Sequence, residues 1–264
     1  MNLMKASLGL RIYFWVVVAY MIFPVLIVIP VSFSSSEFLR FPPQDISARW
    51  YMAYFNDPVW ISATVTSFRV AVLSTLISTT VGTMAALAIS RAPHRSQTPL
   101  TYAATVPILI PHIFIALGVL ILALRLGLTD SEITLALAHA AVAMPFVVLI
   151  TSAAIRQIDP TIERAARVLG ADPFRAFRVA TLPPLIPAIV AAAIFAFFVS
   201  FDELIIAQFL MKGSETLPMR IWADLRLDIS PVVAAVSGLL IVVTTLAMMI
   251  AEILRRRTVR TLAP

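Results

Sequence analysis

Cysteine is absent from this chain of 264 residues. That excludes disulfides, thiol nucleophiles and cysteine-ligated metal clusters. Glycine is scarce, with seven residues and no prominent GxxxG pair, which argues against a membrane bundle closed through glycine stripes. Charge is scarce too: 13% of residues are charged, against about 25% in soluble domains. Glycine loops of the form GxxxxGK[ST] are missing, so the chain does not bind ATP in that way. Neither HExxH nor GxSxG occurs, and no histidine pairs with a carboxylate at ligand spacing, so a membrane-embedded enzyme has no motif behind it. No repeat of fixed period and no low-complexity segment breaks the pattern.

What is present is apolar: 60% of residues, with a mean hydropathy of +0.95. The chain is expected to be an all-α integral membrane protein. Ile12–Val31 is a run of about the 20 residues that cross a hydrocarbon core. It is longer than a signal-peptide core and ends in VSFSSSEF, so it is expected to be a retained first span. The segment 34–60 is polar and aromatic, and Trp50, Tyr51, Tyr54, Phe55 and Trp60 suit a membrane–water interface. Five further runs follow. They are Ile61–Ser90 with a snorkelling Arg69, Pro99–Leu124 broken at Pro107 and Pro111, Glu132–Ile155 with Pro145, Pro187–Leu210 and Pro231–Leu254. The expected organisation is a single membrane domain over 1–264. It has its first span in 1–33, a five-span core over 61–257 and a polar interruption over 156–183. His112 and His139 lie in or beside spans and read as packed histidines rather than metal ligands.

Six spans leave both termini on one side. Thirteen basic residues lie there: Lys5, Arg11, Arg91, Arg95, Arg156, Arg164, Arg167, Arg175, Arg178, Arg255, Arg256, Arg257 and Arg260. Six lie opposite: Arg40, Arg49, Arg125, Lys212, Arg220 and Arg226. The positive-inside rule places the termini and the polar interruption in the cytoplasm. The formal net charge of +6 is therefore a mark of topology, and no nucleic-acid partner is expected.

The interruption carries two helix starts. Asp159-Pro160 and Asp172-Pro173 each pair an N-cap acceptor with proline at the first helical position. Gly170 falls between them, where a helix end favours positive φ. Two short helices with a bend are expected, one with an apolar face of Ile162, Ala165, Ala166 and Leu169, the other with Phe174 and Phe177. Such a surface suits a docking partner; the competing reading is a loop resting on lipid headgroups.

The run Ala165-Ala166, three residues, Gly170, eleven residues, Leu182-Pro183 resembles the cytoplasmic "EAA" loop of ABC-importer permeases. The resemblance extends from about Ile61 to Arg257. It implies the type I importer permease fold with six transmembrane helices. It further implies that Glu163, Arg164, Ala165, Ala166, Gly170, Phe174, Leu182 and Pro183 couple this chain to an ATPase. Arg164 occupies the family's glutamate position, with Glu163 just before it, and Ala180 stands where the family has isoleucine. The implied partners are a sibling permease, two copies of an ABC ATPase that hold the ATP and magnesium, and an extracytoplasmic solute-binding protein. This chain itself is expected to hold no cofactor or metal and to sit in the bacterial cytoplasmic (inner) membrane.

Ser200-Phe201-Asp202-Glu203, followed by Leu217-Pro218, resembles the polyamine branch of that family, the C-type spermidine/putrescine permease subunits. Carboxylates in a span are costly and should face a water-filled path. Counted from Ala188, Asp202 lies about 21 Å along a helix, two-thirds of the way across. Asp202 and Glu203 with Phe198 and Phe201 are the candidate pathway for a small cationic solute, through charge pairing and cation–π contact. The other reading leaves both acids capping a helix end at the outer interface. Other organic amines, opine-like compounds or metal chelates remain alternative solutes. A stand-alone secondary carrier is the alternative class, and association with an ATPase discriminates it.

Overall fold

The structure is a computed structural model that describes residues 8–43, 45–227 and 230–262. The described residues are helical apart from turns and one isolated antiparallel bridge, Ser34 to Ile46. In order the helices are α1 (Leu8–Ser32), α2 (Arg49–Asn56), α3 (Pro58–Arg91), α4 (His94–Thr105), α5 (His112–Leu126), α6 (Glu132–Ile155), α7 (Pro160–Val168), α8 (Pro173–Ala176), α9 (Leu182–Phe201), α10 (Ile205–Leu210), α11 (Leu217–Leu227) and α12 (Pro231–Leu262). A π-helical turn, Phe177–Thr181, joins α8 to α9. Among the described residues four stretches are long and apolar enough to cross a bilayer: Leu8–Ser32, Pro58–Arg91, Glu132–Ile155 and Pro173–Phe201. The bent pair His94–Leu109 and His112–Leu126 makes a fifth, and Pro231–Ala247 is a shorter apolar helix at the place of the expected sixth span.

The chain divides into two compact units. The first, built on residues up to Ile61 with Ile221–Leu254, holds the aromatic segment. Ser32 Oγ donates to Ile29 O at 2.6 Å and meets the Tyr51 hydroxyl at 2.7 Å. A Cβ on Gly238 would lie 2.9 Å from both Ser32 Oγ and the Tyr51 hydroxyl, so only glycine lets α12 pass there. Trp50 Nε1 donates to Ser36 O, and the Arg49 guanidinium lies 4.2 Å over the Trp50 ring. The aromatics expected as interfacial anchors thus also fold this segment on itself.

The second unit is built on Ser62–Arg220, with α6 at its centre. Leu135, Ala136, Ala138, Val142, Ala143, Val147 and Val148 of α6 are all buried. One core cluster joins Val70 of α3, Ala116 and Ala123 of α5, and Ile206, Ala207 and Leu210 of α10 to α6. A second packs Ala143 and Val147 against Ala192 and Ala196 of α9. Alanine supplies the small residues that let these helices approach, which is how the bundle closes with so little glycine. Gly82 is the exception: a Cβ there would sit 2.9 Å from Val147 Cβ and 3.2 Å from Met144 O.

Two expected spans take a different form. The third is broken by 91°, far more than a proline kink. Ile110 is extended before Pro111, as a residue preceding proline prefers, and neither Pro107 nor Pro111 can donate a helical hydrogen bond. The fifth does not run to Leu210. Its helix ends at Phe201, and the chain restarts as α10 after Asp202-Glu203. Elsewhere the helix termini follow local chemistry. Gly127 takes φ +68° after α5, and Ser131 caps α6 by accepting from Thr134 N. Arg69 lies 3.6 Å from Glu132, so its exposed head has a counter-charge.

Asp130 is a corner clamp. At φ +56° its carboxylate accepts from Lys212 N and Gly213 N, both at 3.1 Å, and its own N–H donates to Leu210 O. The Lys212 and Gly213 N–H groups hold the Asp130 carboxyl below its usual range. A lowered folded pKa means that the clamp's contribution is complete above the unfolded carboxylate value and is lost as pH falls through the lowered one. Asp130→Ala is expected to lower the hydrogen-exchange protection factors of the Lys212 and Gly213 amides at neutral pH, with wild-type protection factors unchanged until acid pH. Gly82→Leu forces α3 off α6 and is expected to cost about 1–3 kcal/mol, measured as a lower unfolding midpoint in detergent.

Candidate functional site

The polar interruption folds as two capped helices and a turn. Asp159 Oδ1 accepts from Thr161 N at 2.8 Å, and Asp172 Oδ1 accepts from Phe174 N at 2.9 Å and Arg175 N at 3.0 Å. The Thr161 backbone and then its hydroxyl hold the Asp159 carboxyl below its usual range. Gly170 takes φ +92° between the helices, with open space around it, so the requirement there is backbone conformation alone. Val168 is 87% exposed, Leu169 88% and Phe174 72%, with Ile162 also exposed. Arg164, Ala165 and Gly170 are exposed, whereas Ala166, Leu182 and Pro183 are half-buried. This is an apolar row on rigid, capped helices, edged by arginines. Arg164 Nε donates back to Pro160 O on its own helix. Glu163 faces the chain interior and accepts from Thr181 Oγ1.

The two adjacent acids have opposite surroundings. Asp202 is exposed in the C-cap position of α9. Its carboxylate has no hydrogen-bond or ion-pair partner among the described residues. Beside it, Phe201 stacks on Phe197 at 5.6 Å, and Phe198 meets Phe197 edge-on at 5.6 Å. Glu203 is only 6% exposed. Its Oε1 accepts from Ile205 N at 3.1 Å, and its Oε2 from Ile206 N at 2.8 Å and Ala207 N at 3.3 Å. It therefore caps α10 with the N–H groups that a helix start leaves open.

Both histidines converge on the same carboxylate. His112 Nδ1 is 3.2 Å from Glu203 Oε1, and His139 Nε2 is 3.3 Å from Oε2. His139 Nδ1 in turn meets Ser200 Oγ at 2.9 Å. An ionised carboxylate only accepts, so the His112 nitrogen facing it carries the proton. His139 and Ser200 are buried, while the His112 side chain is 40% exposed. Serine, imidazole and carboxylate in a row resemble a hydrolytic triad in composition. Here the serine is buried and the carboxylate is occupied by a helix start, so the row is a structural brace. Sequence reasoning read these histidines as packed and missed their shared partner. The separations of 91 residues from His112 and 64 from His139 to Glu203 leave no local signal for it.

The helix geometry also moves Asp202. Because α9 has 20 residues and starts at Leu182, Asp202 lies about 30 Å along it, at the far end of a full crossing rather than two-thirds through. The segment 159–183 and the acid pair thus lie at opposite ends of α9.

Residues 78–260 match the model of a family described as "Binding-protein-dependent transport system inner membrane component". The chain is 30% identical over 226 residues to the putrescine transport system permease protein PotI of Escherichia coli (strain K12), covering 83% of this chain and 80% of that protein. It is 28% identical over 239 residues to the spermidine/putrescine transport system permease protein PotC of the same organism, covering 90% of each. A solved bacterial alginate ABC transporter, in complex with an alginate pentasaccharide-bound periplasmic protein, superposes with a TM-score of 0.72 at 17% identity, over 95% of this chain and 94% of that one. It shares the fold.

The two acids are expected to separate in stability measurements. Glu203→Ala leaves three N–H groups and the His112 imidazole without their acceptor and should cost about 3–5 kcal/mol, read as loss of folded protein in detergent. Glu203→Gln keeps an acceptor oxygen and should cost less. Asp202→Asn, at an exposed site, should change stability by no more than about 0.5 kcal/mol.

Proposed function

The chain belongs to the family of binding-protein-dependent transport system inner membrane components, and we propose that it passes polyamines, putrescine and spermidine among them, across the bacterial inner membrane. It is a multi-pass permease subunit of an ATP-driven ABC importer and is not itself an enzyme. The proposed assembly pairs it with a sibling permease, two ATPase subunits and an extracytoplasmic binding protein. Both termini and the segment 159–183 face the cytoplasm, as the distribution of basic residues supports.

The observation that carries coupling is the exposed apolar row on α7 and α8. Large apolar side chains held open on capped helices are a surface for a protein partner. ATP-driven closure of the ATPase pair moves this segment, and α9, continuous with it through the π turn, carries the movement to its far end. Each ligand then has to bind one state better than the other for the cycle to turn. Support for the solute is chemical and comparative. The names of two relatives give putrescine and spermidine, and the exposed Asp202 beside Phe198 and Phe201 offers a carboxylate and rings to an alkylammonium. Glu203 acts behind Asp202 by holding the end of α9 in place.

Asp202→Lys is expected to lower putrescine uptake by at least about tenfold, the factor of one lost charge-assisted contact, with the complex still assembled. Uptake equal to wild type would remove Asp202 from the pathway. Gly170→Val places a β-branched residue at φ +92°. It is expected to abolish stimulation of ATP hydrolysis by the loaded binding protein in the reconstituted complex. Stimulation sensitive to Gly170→Val but indifferent to every polyamine would keep the importer and replace the solute.

A further inference from the structure

Glu163 stands on the exposed segment, yet its carboxylate is used inside its own chain. Oε2 accepts from Thr181 Oγ1, and Oε1 lies 3.4 Å from a guanidinium nitrogen of Arg91, the last residue of α3. The Arg91 guanidinium also lies 5.6 Å over the Phe177 ring. Phe177 and Thr181 are the first and last residues of the π turn, and Thr181 is buried. Four side chains thus join three elements: the end of α3, the first turn of α7, and the turn between α8 and α9.

The π turn gives this knot its significance. A π turn carries one residue more than an α-helix would, so its conversion to α geometry would turn one flank against the other by about 100°, one residue's step. It is located where any movement of α7 and α8 would pass into α9. The Arg91–Glu163 pair is exposed on one side, 59% for Arg91 and 26% for Glu163, and contributes little alone. The Thr181 bond has a buried donor and an ionised acceptor, which is the stronger arrangement.

We propose that Glu163 is a positioning residue for energy coupling: with Arg91 and Thr181 it holds the π turn in register, so that α7, α3 and α9 move as one body when the ATPase moves α7. This rests on the reading of the segment as the ATPase contact. The role differs from a direct contact between Glu163 and the ATPase, which the family resemblance alone would suggest.

The test uses the full complex in lipid nanodiscs, compared at equal amounts of assembled ATPase. Thr181→Val is expected to lower stimulation of hydrolysis by the loaded binding protein about tenfold, and Thr181→Ser to restore it. The reversed pair Arg91→Glu with Glu163→Arg is expected to recover stimulation relative to either single reversal. Because the chain has no cysteine, spin labels can be placed at Thr161 and Ala88, both exposed and outside the apolar row. Their distance is expected to stay constant between nucleotide-free and ATP-bound wild type and to broaden in Thr181→Val. Wild-type stimulation and an unbroadened distance in Thr181→Val would overturn the proposal. So would loss of the ATPase from Glu163 variants alone, with Arg91 and Thr181 variants unaffected, which would make Glu163 a direct contact. If Gly170→Val leaves ATPase binding and stimulation intact, the reading of the segment itself fails, and that result is distinct from either.

Discussion

A carboxylate buried among apolar helices has to be compensated, and much of the second unit is arranged to do so for Glu203. Taking an ionised group out of water costs several kcal/mol even after relaxation. Here three backbone N–H groups at the start of α10 and two imidazoles answer it. Each donor requires a feature of the fold. The N–H groups exist only because the helix stops at Phe201 and starts again at Ile205. His112 stands at the first turn of α5, immediately after the break at Pro111. His139 comes from the most buried helix, α6. One side chain therefore ties together two interrupted spans and the centre of the unit.

This arrangement divides labour between adjacent residues. Glu203 is consumed in holding the helix end, which leaves Asp202 displayed in the C-cap position of α9 with an aromatic cluster beside it. The opposite end of the same helix shows the same division. Glu163 is consumed in holding the π turn, which leaves Ile162, Val168, Leu169 and Phe174 displayed on the surface. In each case one acid is held by its own chain and its neighbours stay exposed. A helix about 30 Å long connects the two ends, with no flexible linker between them.

Packing follows the same economy. With seven glycines in the chain, close approach is left mainly to alanine, and Ala143, Ala192 and Ala196 bring α6 and α9 together. Gly82 and Gly238 are kept where even a Cβ would collide. Gly127 and Gly170 are kept for positive φ. In the first unit the Ser32 and Tyr51 hydroxyls serve each other as partners, and Trp50 Nε1 donates to the Ser36 carbonyl.

The form of segment 159–183 was legible because its signals are local: caps at Asp159 and Asp172, prolines after them and a glycine between act over three or four residues. The membrane class and the runs of apolar residues were legible because crossing a bilayer demands length and composition, which a sequence displays directly. The severity of the break at Pro111, the end of α9 at Phe201 and the convergence of His112, His139 and Ser200 on Glu203 were not legible. Proline states where a helix can fail, but its neighbours decide how far it bends. Adjacent acids look alike in a sequence. Only the tertiary structure, by surrounding Glu203 with donors from α5, α6 and α10 and leaving Asp202 bare, made one a brace and the other a candidate for recognition, because burial and hydrogen bonding are properties of what folds around a residue.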